Sequence, residues 1–212
     1  MTLQMPITKR RISNHFHYGT WKYILLIVLV LFGWNLIYTM TRYQPPESMR
    51  VEFYVEGATA SDEALAQLTA SIHDEIMPEM DLVEATTFIL DEQYGDMMLT
   101  VWISASQGDV YMLSADNFER YAASGAFVDL QSVVDDHTLM VDPDTLQGGY
   151  VKETDSGETK LYGIPADLLT GFWDLGIKPE NKVLCILFNS GNEEYSVKFL
   201  NYLVNHLQSE SQ

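Results

Sequence analysis

The stretch that decides the fold is Gly-Asp-Val-Tyr-Met-Leu-Ser-Ala-Asp-Asn-Phe-Glu-Arg-Tyr-Ala, residues 108–122. Its apolar run, Val110–Leu113, is typical of a buried strand. Ser114 and Asp116 follow at positions suited to opening a helix, and Gly125 is placed to close it. The stretch therefore predicts a strand that leads directly into a short helix.

The residues before this stretch show the same alternation of strand and helix. Strands are predicted at 51–55 and 85–90, because both runs are rich in residues that favour strands. Between them, Ser61 can cap a helix whose apolar residues recur at helical spacing. Residues 94–103 fit helical and strand periodicity alike, and the helix is favoured because Gly108 stands where a cap is needed.

The residues after this stretch add a hairpin, a strand and a helix. Two extended pieces, 149–152 and 159–164, flank the turn Thr-Asp-Ser-Gly and predict the hairpin. The apolar run 182–188 predicts a strand, and residues 194–207 predict a helix with one apolar face. Strands that alternate with helices, several of them apolar on both faces, indicate an α/β fold with a mixed sheet flanked by helices.

A separate apolar segment precedes this domain. Residues 23–40 contain no charged side chain, and as a helix they would span about 27 Å, close to the roughly 30 Å of a bilayer core. The 22 residues before them hold four basic side chains and no acidic one, which predicts a cytoplasmic N-terminus. No small-x-small cleavage site follows, so an uncleaved single-pass anchor is favoured over a signal peptide.

The 212-residue chain is therefore predicted to have four parts. They are a basic cytoplasmic tail (1–22), a transmembrane helix (23–40), a linker (41–50) and an extracellular α/β domain (51–208). All 30 acidic residues and eight of the 12 basic ones lie beyond residue 22, which gives that part a charge of −22. Such an acidic domain would repel nucleic-acid phosphates and anionic lipid head groups, so neither is expected to bind it.

The order of elements around residues 108–130 resembles the first lobe of the extracellular solute-binding proteins of bacterial ABC importers. That family follows its strand and short helix with a Gly-x-hydrophobic-x-Asp-Leu segment, matched here by 125–130. Residues 161–167 resemble the strand that returns through the family's hinge. The resemblance implies one lobe of a periplasmic-binding-protein fold.

The chain also departs from that family. Only 14 residues separate Asp167 from Lys182, where the family inserts its whole second lobe. The family's lipid-anchor cysteine is missing and an apolar segment stands in its place. The chain thus resembles a single-lobe, membrane-anchored relative of these bacterial proteins.

If the resemblance extends to the binding groove, that groove would lie where the strands end. The matching positions are Glu56, Ser114, Asp116, Pro165, Asp167 and Trp173. Structural roles compete with this interpretation. Ser114 and Asp116 are good helix caps, Pro165 can end a strand, and Trp173 can belong to the core.

Motifs for other chemistry are missing from the sequence. The five histidines have no cysteine or histidine at ligand spacing, so no metal and no cofactor are predicted. The acidic loop around Asp142 does not match an EF-hand, because Leu146 and Gln147 stand where an oxygen ligand and a glycine are required. Cys185 lies in an apolar run and is interpreted as buried. No hydrolase, zinc-protease or phosphate-loop motif occurs, so an enzyme is not expected.

Three functional hypotheses follow, the least favoured of which is an enzyme of an unrecognised kind, which would require convergent carboxylates with shifted pKa values in a cleft. The first is an extracytoplasmic binding or interaction module, accessory to another membrane protein, which predicts an exposed apolar surface. The alternative is capture or sensing of a small solute by the single lobe, which predicts a concave pocket at the strand ends with Trp173 in its wall.

Overall fold

The computed structural model describes residues 9–41, 45–57, 61–90, 94–136, 138–139 and 141–208, with the backbone alone for 9–18. The predicted tail and linker therefore lie partly outside the described residues, at 1–8 and 42–44. The chain divides into two units, residues 1–44 and 45–212. Each unit is described separately below.

One long helix, α1 (Lys9–Thr41), makes up the first unit. Its part from Gly19 to Thr41 covers 23 residues with a mean hydropathy of 2.1, and it includes the predicted segment 23–40. Among the described helices it is the one long and apolar enough to cross a membrane. Helices of this length and composition occur both as membrane anchors and as signal sequences.

The second unit contains a five-stranded mixed sheet and a separate two-stranded one. The strands are β1 (Arg50–Glu56), β2 (Leu82–Phe88), β3 (Val110–Ser114), β4 (Tyr150–Lys152), β5 (Thr159–Leu161), β6 (Gly163–Pro165) and β7 (Lys182–Ile186). The main sheet has the order β2-β1-β3-β7-β6, and β4 pairs with β5. β1 is parallel to β2 and β3, whereas β7 is antiparallel to β3 and β6.

Helices cover both faces of the main sheet. They are α2 (Asp62–Ile76), α3 (Gly95–Ser104), α4 (Ala115–Ala122), α5 (Gln131–Asp135) and α6 (Glu193–Leu207). α2 and α6 share one apolar core with the sheet, and α3 and α4 share the other. Alternate side chains of β1 serve the two cores. Phe53 packs 5.3 Å from the Phe199 ring of α6, while Tyr54 stacks 5.3 Å from Tyr111 and 5.2 Å from Trp102 of α3.

This architecture confirms the predicted α/β class with helices around a mixed sheet. Ser61 caps α2 as expected, since its hydroxyl accepts a hydrogen bond from the Ala64 backbone N–H at 3.4 Å. The predicted segment 94–103 forms the favoured helix, α3, at Gly95–Ser104. Cys185 is fully buried, as its apolar surroundings indicated.

Three details differ from the sequence predictions. The strand predicted at 85–90 occupies 82–88. Gly108 does not cap α3, because that helix already ends at Ser104. Gly108 instead has a φ of +80° and lies against the Tyr54 ring, to which an added Cβ would approach within 2.5 Å.

The third difference concerns the predicted hairpin. Only 159–161 of its second arm pairs with β4, and 163–165 joins the main sheet as β6. The chain can make this switch because Gly149 closely approaches the backbone of Gly163, where a Cβ would lie 1.8 Å from the carbonyl oxygen.

Candidate functional site

The topology brings most of the predicted groove positions to one edge of the main sheet, here called the strand-end edge. β1, β3 and β6 end at this edge, and the antiparallel β7 begins there. It includes the point where the strand order reverses. From β1 the chain runs through α2 to β2 on one side of β1, and it then runs through α3 to β3 on the other side of β1. Such reversal points are where open α/β sheets leave a crevice.

Glu56 lies at the centre of the strand-end edge. One carboxylate oxygen accepts a hydrogen bond from the Ser114 backbone N–H at 2.7 Å, and the other accepts one from the Asn117 side chain at 3.1 Å. The negative charge therefore lies at the N-terminus of α4, where the helix dipole stabilises it.

Lys182 contributes the cation of this edge. Its ammonium donates a hydrogen bond to the backbone oxygen of Glu56. Partial burial lowers the pKa of Lys182, because it disfavours the charged form, and the nearby Glu56 carboxylate partly offsets this effect.

Asp167 and Pro165 reach the same edge from β6 and the turn after it. The Asp167 carboxylate accepts a hydrogen bond from the Asn181 backbone N–H at 3.1 Å. The Asn181 carbonyl in turn accepts one from the Ala115 backbone N–H at 2.9 Å. Pro165 lies opposite Val183 in the sheet register.

Asp116 and Trp173 take no part in this network of described hydrogen bonds. Trp173 is 46% exposed, so its interpretation as a core residue is wrong. The interpretation of Ser114 as a side-chain cap is also wrong, because its hydroxyl makes no capping bond to α4; its backbone N–H donates to Glu56 instead.

The chemistry of the strand-end edge is therefore largely satisfied internally. The Glu56 carboxylate holds α4, and the Lys182 ammonium holds the end of β1, so a polar ligand would have to displace one of these contacts. The sequence prediction did not include Asn117 or Lys182. Lys182 opens a predicted strand, but only the antiparallel direction of that strand, which local sequence does not reveal, brings it here.

A second polar cluster occupies the opposite edge of the sheet. Asp109 is buried; one of its carboxylate oxygens accepts a hydrogen bond from the Glu52 backbone N–H at 2.8 Å, and the other lies 3.4 Å from the amide nitrogen of Asn192. That amide also donates to the carbonyl oxygens of Glu47, at 2.5 Å, and Arg50, at 2.7 Å. Burial raises the pKa of both Asp109 and Glu52. The cluster fastens the residues before β1 to the core.

An exposed apolar stripe runs along α3, where no binding residue was predicted. Tyr94, Met97 and Val101 are 58%, 67% and 58% exposed, and their spacing of three and four residues places them on one helix face. We call these three residues the α3 stripe. Ile89, just after β2, is also exposed. The sequence carried one signal of this surface, since apolar side chains surround α3 more widely than one buried face requires.

The described residues contain no group of three or more His, Cys, Asp or Glu side chains that could hold a metal ion. In the acidic loop, the Asp142 carboxylate accepts a hydrogen bond from the Asp144 backbone N–H at 3.1 Å. His73 contacts the Met80 carbonyl oxygen at 2.8 Å, and His206 contacts that of Tyr202 at 3.0 Å. His137 lies outside the described residues.

No family model and no curated protein matches this chain. Similar solved structures include the N-glycan transport solute-binding protein of Streptococcus pneumoniae, at 20% identity, with 57% of this chain and 26% of that chain covered and a TM-score of 0.40. A family 1 extracellular solute-binding protein of Alicyclobacillus acidocaldarius matches at 19% identity, with 58% and 29% covered and a TM-score of 0.42. A designed cysteine esterase matches at 20% identity, with 56% and 27% covered and a TM-score of 0.40.

The chain spans between a quarter and a third of the length of these three structures. Two of them are solute-binding proteins, the class that the sequence resembles. At these identities the likeness concerns the fold alone.

Proposed function

We propose that this chain is a single-pass, membrane-anchored interaction module, which docks another membrane or extracytoplasmic protein through the α3 stripe. In this proposal α1 crosses the cell membrane, the N-terminus is cytoplasmic, and the acidic domain lies outside. The protein acts as an accessory to its partner and catalyses no reaction of its own.

The exposure of the α3 stripe is the observation that carries this proposal. α3 is otherwise well packed, with Leu99 fully buried in the core beneath it. Burying one apolar side chain of the size of Met97 or Val101 is worth about 1.5–3 kcal/mol. A partner that covered both would therefore gain several kcal/mol, and grouped apolar exposure of this kind is common at docking sites.

The anchor rests on composition. The apolar part of α1 is 23 residues long, basic residues precede it, and the residues beyond it carry the strong negative charge. The bias of basic residues favours a cytoplasmic N-terminus.

The alternative is capture or sensing of a small solute at the strand-end edge. The reversal of strand order and the exposed Trp173 favour it. The internal use of Glu56 and Lys182 counts against it, because a solute would meet groups that already have partners. If this alternative holds, a small solute should change the fluorescence of Trp173 and raise the unfolding temperature.

Photo-crosslinking of the full chain in its own membranes tests the docking proposal. Benzoylphenylalanine placed at position 97 should give a discrete crosslinked species. The same probe at position 205, an exposed site on α6, which packs on the other face of the sheet, should not. Val101→Glu should weaken the position-97 crosslink about tenfold or more, the equivalent of 1.5–3 kcal/mol of lost binding, while leaving the unfolding temperature nearly unchanged. Equal crosslinking from both positions would contradict the proposal.

A further inference from the structure

The two outermost strands of the main sheet differ in how well their free backbone groups are protected from pairing with another chain. β6 forms one edge, has only three residues and ends in Pro165, and short strands and proline are ways of blunting an edge. β2 forms the other edge, has seven residues and contains no proline. All seven residues are in register with β1. In the described part of the chain, no strand pairs with the outer side of β2.

A cavity of about 300 Å³ runs along this open edge. Four consecutive residues of β2, Glu84 to Thr87, line one side of it, and Asp62, Ala66 and Thr69 of α2 line the other. Because successive side chains of a strand point to opposite faces, lining by four in a row places the cavity beside the strand rather than above one face.

The walls of this cavity suit a basic side chain. Two of its lining residues, Asp62 and Glu84, are acidic, and neither forms a salt bridge with any described residue. The methyl groups of Ala66 and Ala85 would contact the aliphatic stem of a lysine or arginine, and three threonines complete the lining. No basic residue of the described chain lines the cavity.

We propose that the β2 edge accepts an extended segment of a partner protein as a sixth strand, with a lysine or arginine of that segment in the cavity. Strand addition of this kind takes its affinity from backbone hydrogen bonds and its selectivity from side-chain pockets. The inference rests on the proposed function for the existence of a partner, and it names the chemistry that the partner presents.

A second copy of this chain fits the edge less well than a basic segment does. The part of the chain that contains β2 carries a charge of −22, so two copies would repel each other at close approach. The same charge attracts a basic segment and would speed its association.

Fluorescence anisotropy of a labelled peptide tests the inference directly. The peptide is acetyl-Thr-Lys-Val-Lys-Thr-Lys-Val-amide, titrated with the full chain in a neutral detergent at low salt. Two further peptides keep the same charge but are N-methylated at the odd or at the even backbone nitrogens. The parent peptide should bind, and at least one methylated peptide should bind tenfold or more weakly, because strand pairing needs the N–H groups on one side.

Two charge-reversed variants separate the cavity from general attraction. Glu84→Lys should weaken peptide binding about tenfold. Glu63→Lys makes the same charge change at an exposed position of α2 that does not line the cavity, and it should weaken binding less than threefold. Circular dichroism of both variants should match that of the unmodified chain.

Three results would overturn the inference. They are a parent peptide that does not bind, methylated peptides that both bind as well as the parent, and equal losses from Glu84→Lys and Glu63→Lys. If the crosslink from position 97 forms while the peptide does not bind, the edge inference alone is wrong. If the peptide binds at the edge but no crosslinked partner is found, the proposed docking through the α3 stripe is wrong instead.

Discussion

Replacing Asn192 with alanine should lower the free energy of unfolding of the domain by about 3 kcal/mol. Asn192 is buried, and its amide nitrogen donates to the carbonyl oxygens of Glu47 and Arg50 and lies within 3.4 Å of the Asp109 carboxylate. One side chain thus joins the residues before β1, the strand itself and the amino end of β3.

The size of the effect follows from these three contacts. A typical hydrogen bond contributes about 1 kcal/mol net, and a bond to a charged group contributes somewhat more. Alanine also leaves a void where the buried Asn192 side chain stood, which adds to the loss. The longest contact, to Asp109 at 3.4 Å, adds least, so the sum is about 3 kcal/mol.

Urea unfolding of the full chain in mild detergent, followed by circular dichroism, measures this loss. The matched control is Asn205→Ala on the same helix, whose amide donates to the Asn201 side chain at 3.1 Å on the exposed surface. That control should change the stability by less than about 0.5 kcal/mol. The midpoint should therefore fall clearly for Asn192→Ala and hardly at all for Asn205→Ala.

Equal stability of the two variants would refute this reasoning. It would mean that water replaces the Asn192 amide at no cost, and that the cluster at this edge does not fasten the residues before β1. A change in the slope of the urea dependence would instead indicate that the variant alters the compactness of one state.

Two further predictions concern pH and backbone conformation. Because burial raises the pKa of Glu52 and Asp109, the folded chain keeps their protons at pH values where the unfolded chain has released them. These two groups should therefore make the free energy of unfolding fall as the pH rises from about 4 towards neutrality, and Glu52→Gln should flatten this dependence in urea titrations at several pH values. Gly108→Ala should destabilise the domain by several kcal/mol, because the added Cβ would meet the Tyr54 ring. Gly157→Ala should cost about 1–2 kcal/mol, because Gly157 has a similar positive φ but no atom closer than 3.9 Å to the added Cβ. Thermal unfolding of both variants separates the steric clash from the backbone strain.

The strands that could be predicted well are those whose burial is visible locally. β3 and β7 are apolar at nearly every position because helices cover both faces, and an apolar run is a local signal. β2 lies at an edge, and its burial alternates. Its first residues therefore look less like a strand, and the predicted strand began three residues late.

The switch at residue 162 could not be predicted in the same way. β5 and β6 are separated by this single residue, yet they belong to different sheets. Which sheet each segment joins depends on contacts with Gly149 and Val183, and these residues come close to the segment only in the folded protein. A local pattern reports that a segment is extended but not which neighbour it pairs with.

The candidate surfaces, too, could be predicted only where local sequence carries a signal. The family resemblance placed Glu56 and Ser114 in one groove at the strand ends, and the structure links them by a hydrogen bond. The hydrogen-bond donor to the Glu56 carbonyl oxygen is Lys182, which lies 126 positions further along the chain. The α3 stripe was visible as an excess of apolar residues, but the sequence does not show which of them the sheet leaves exposed.

The position of β1 in the sheet has a mechanical consequence for the proposed anchored arrangement. The second unit begins just before β1, which pairs along its length with β2 on one side and over residues 53–55 with β3 on the other. A pull on residue 45 along the strand would stretch bonds on both sides together, which resists force better than opening them one at a time. The hydrogen bond from the Asn192 amide to the Glu47 carbonyl oxygen lies before the strand in the chain, and it would break first. A pull transmitted from the proposed anchor would thus release a short length of chain while the sheet stayed whole.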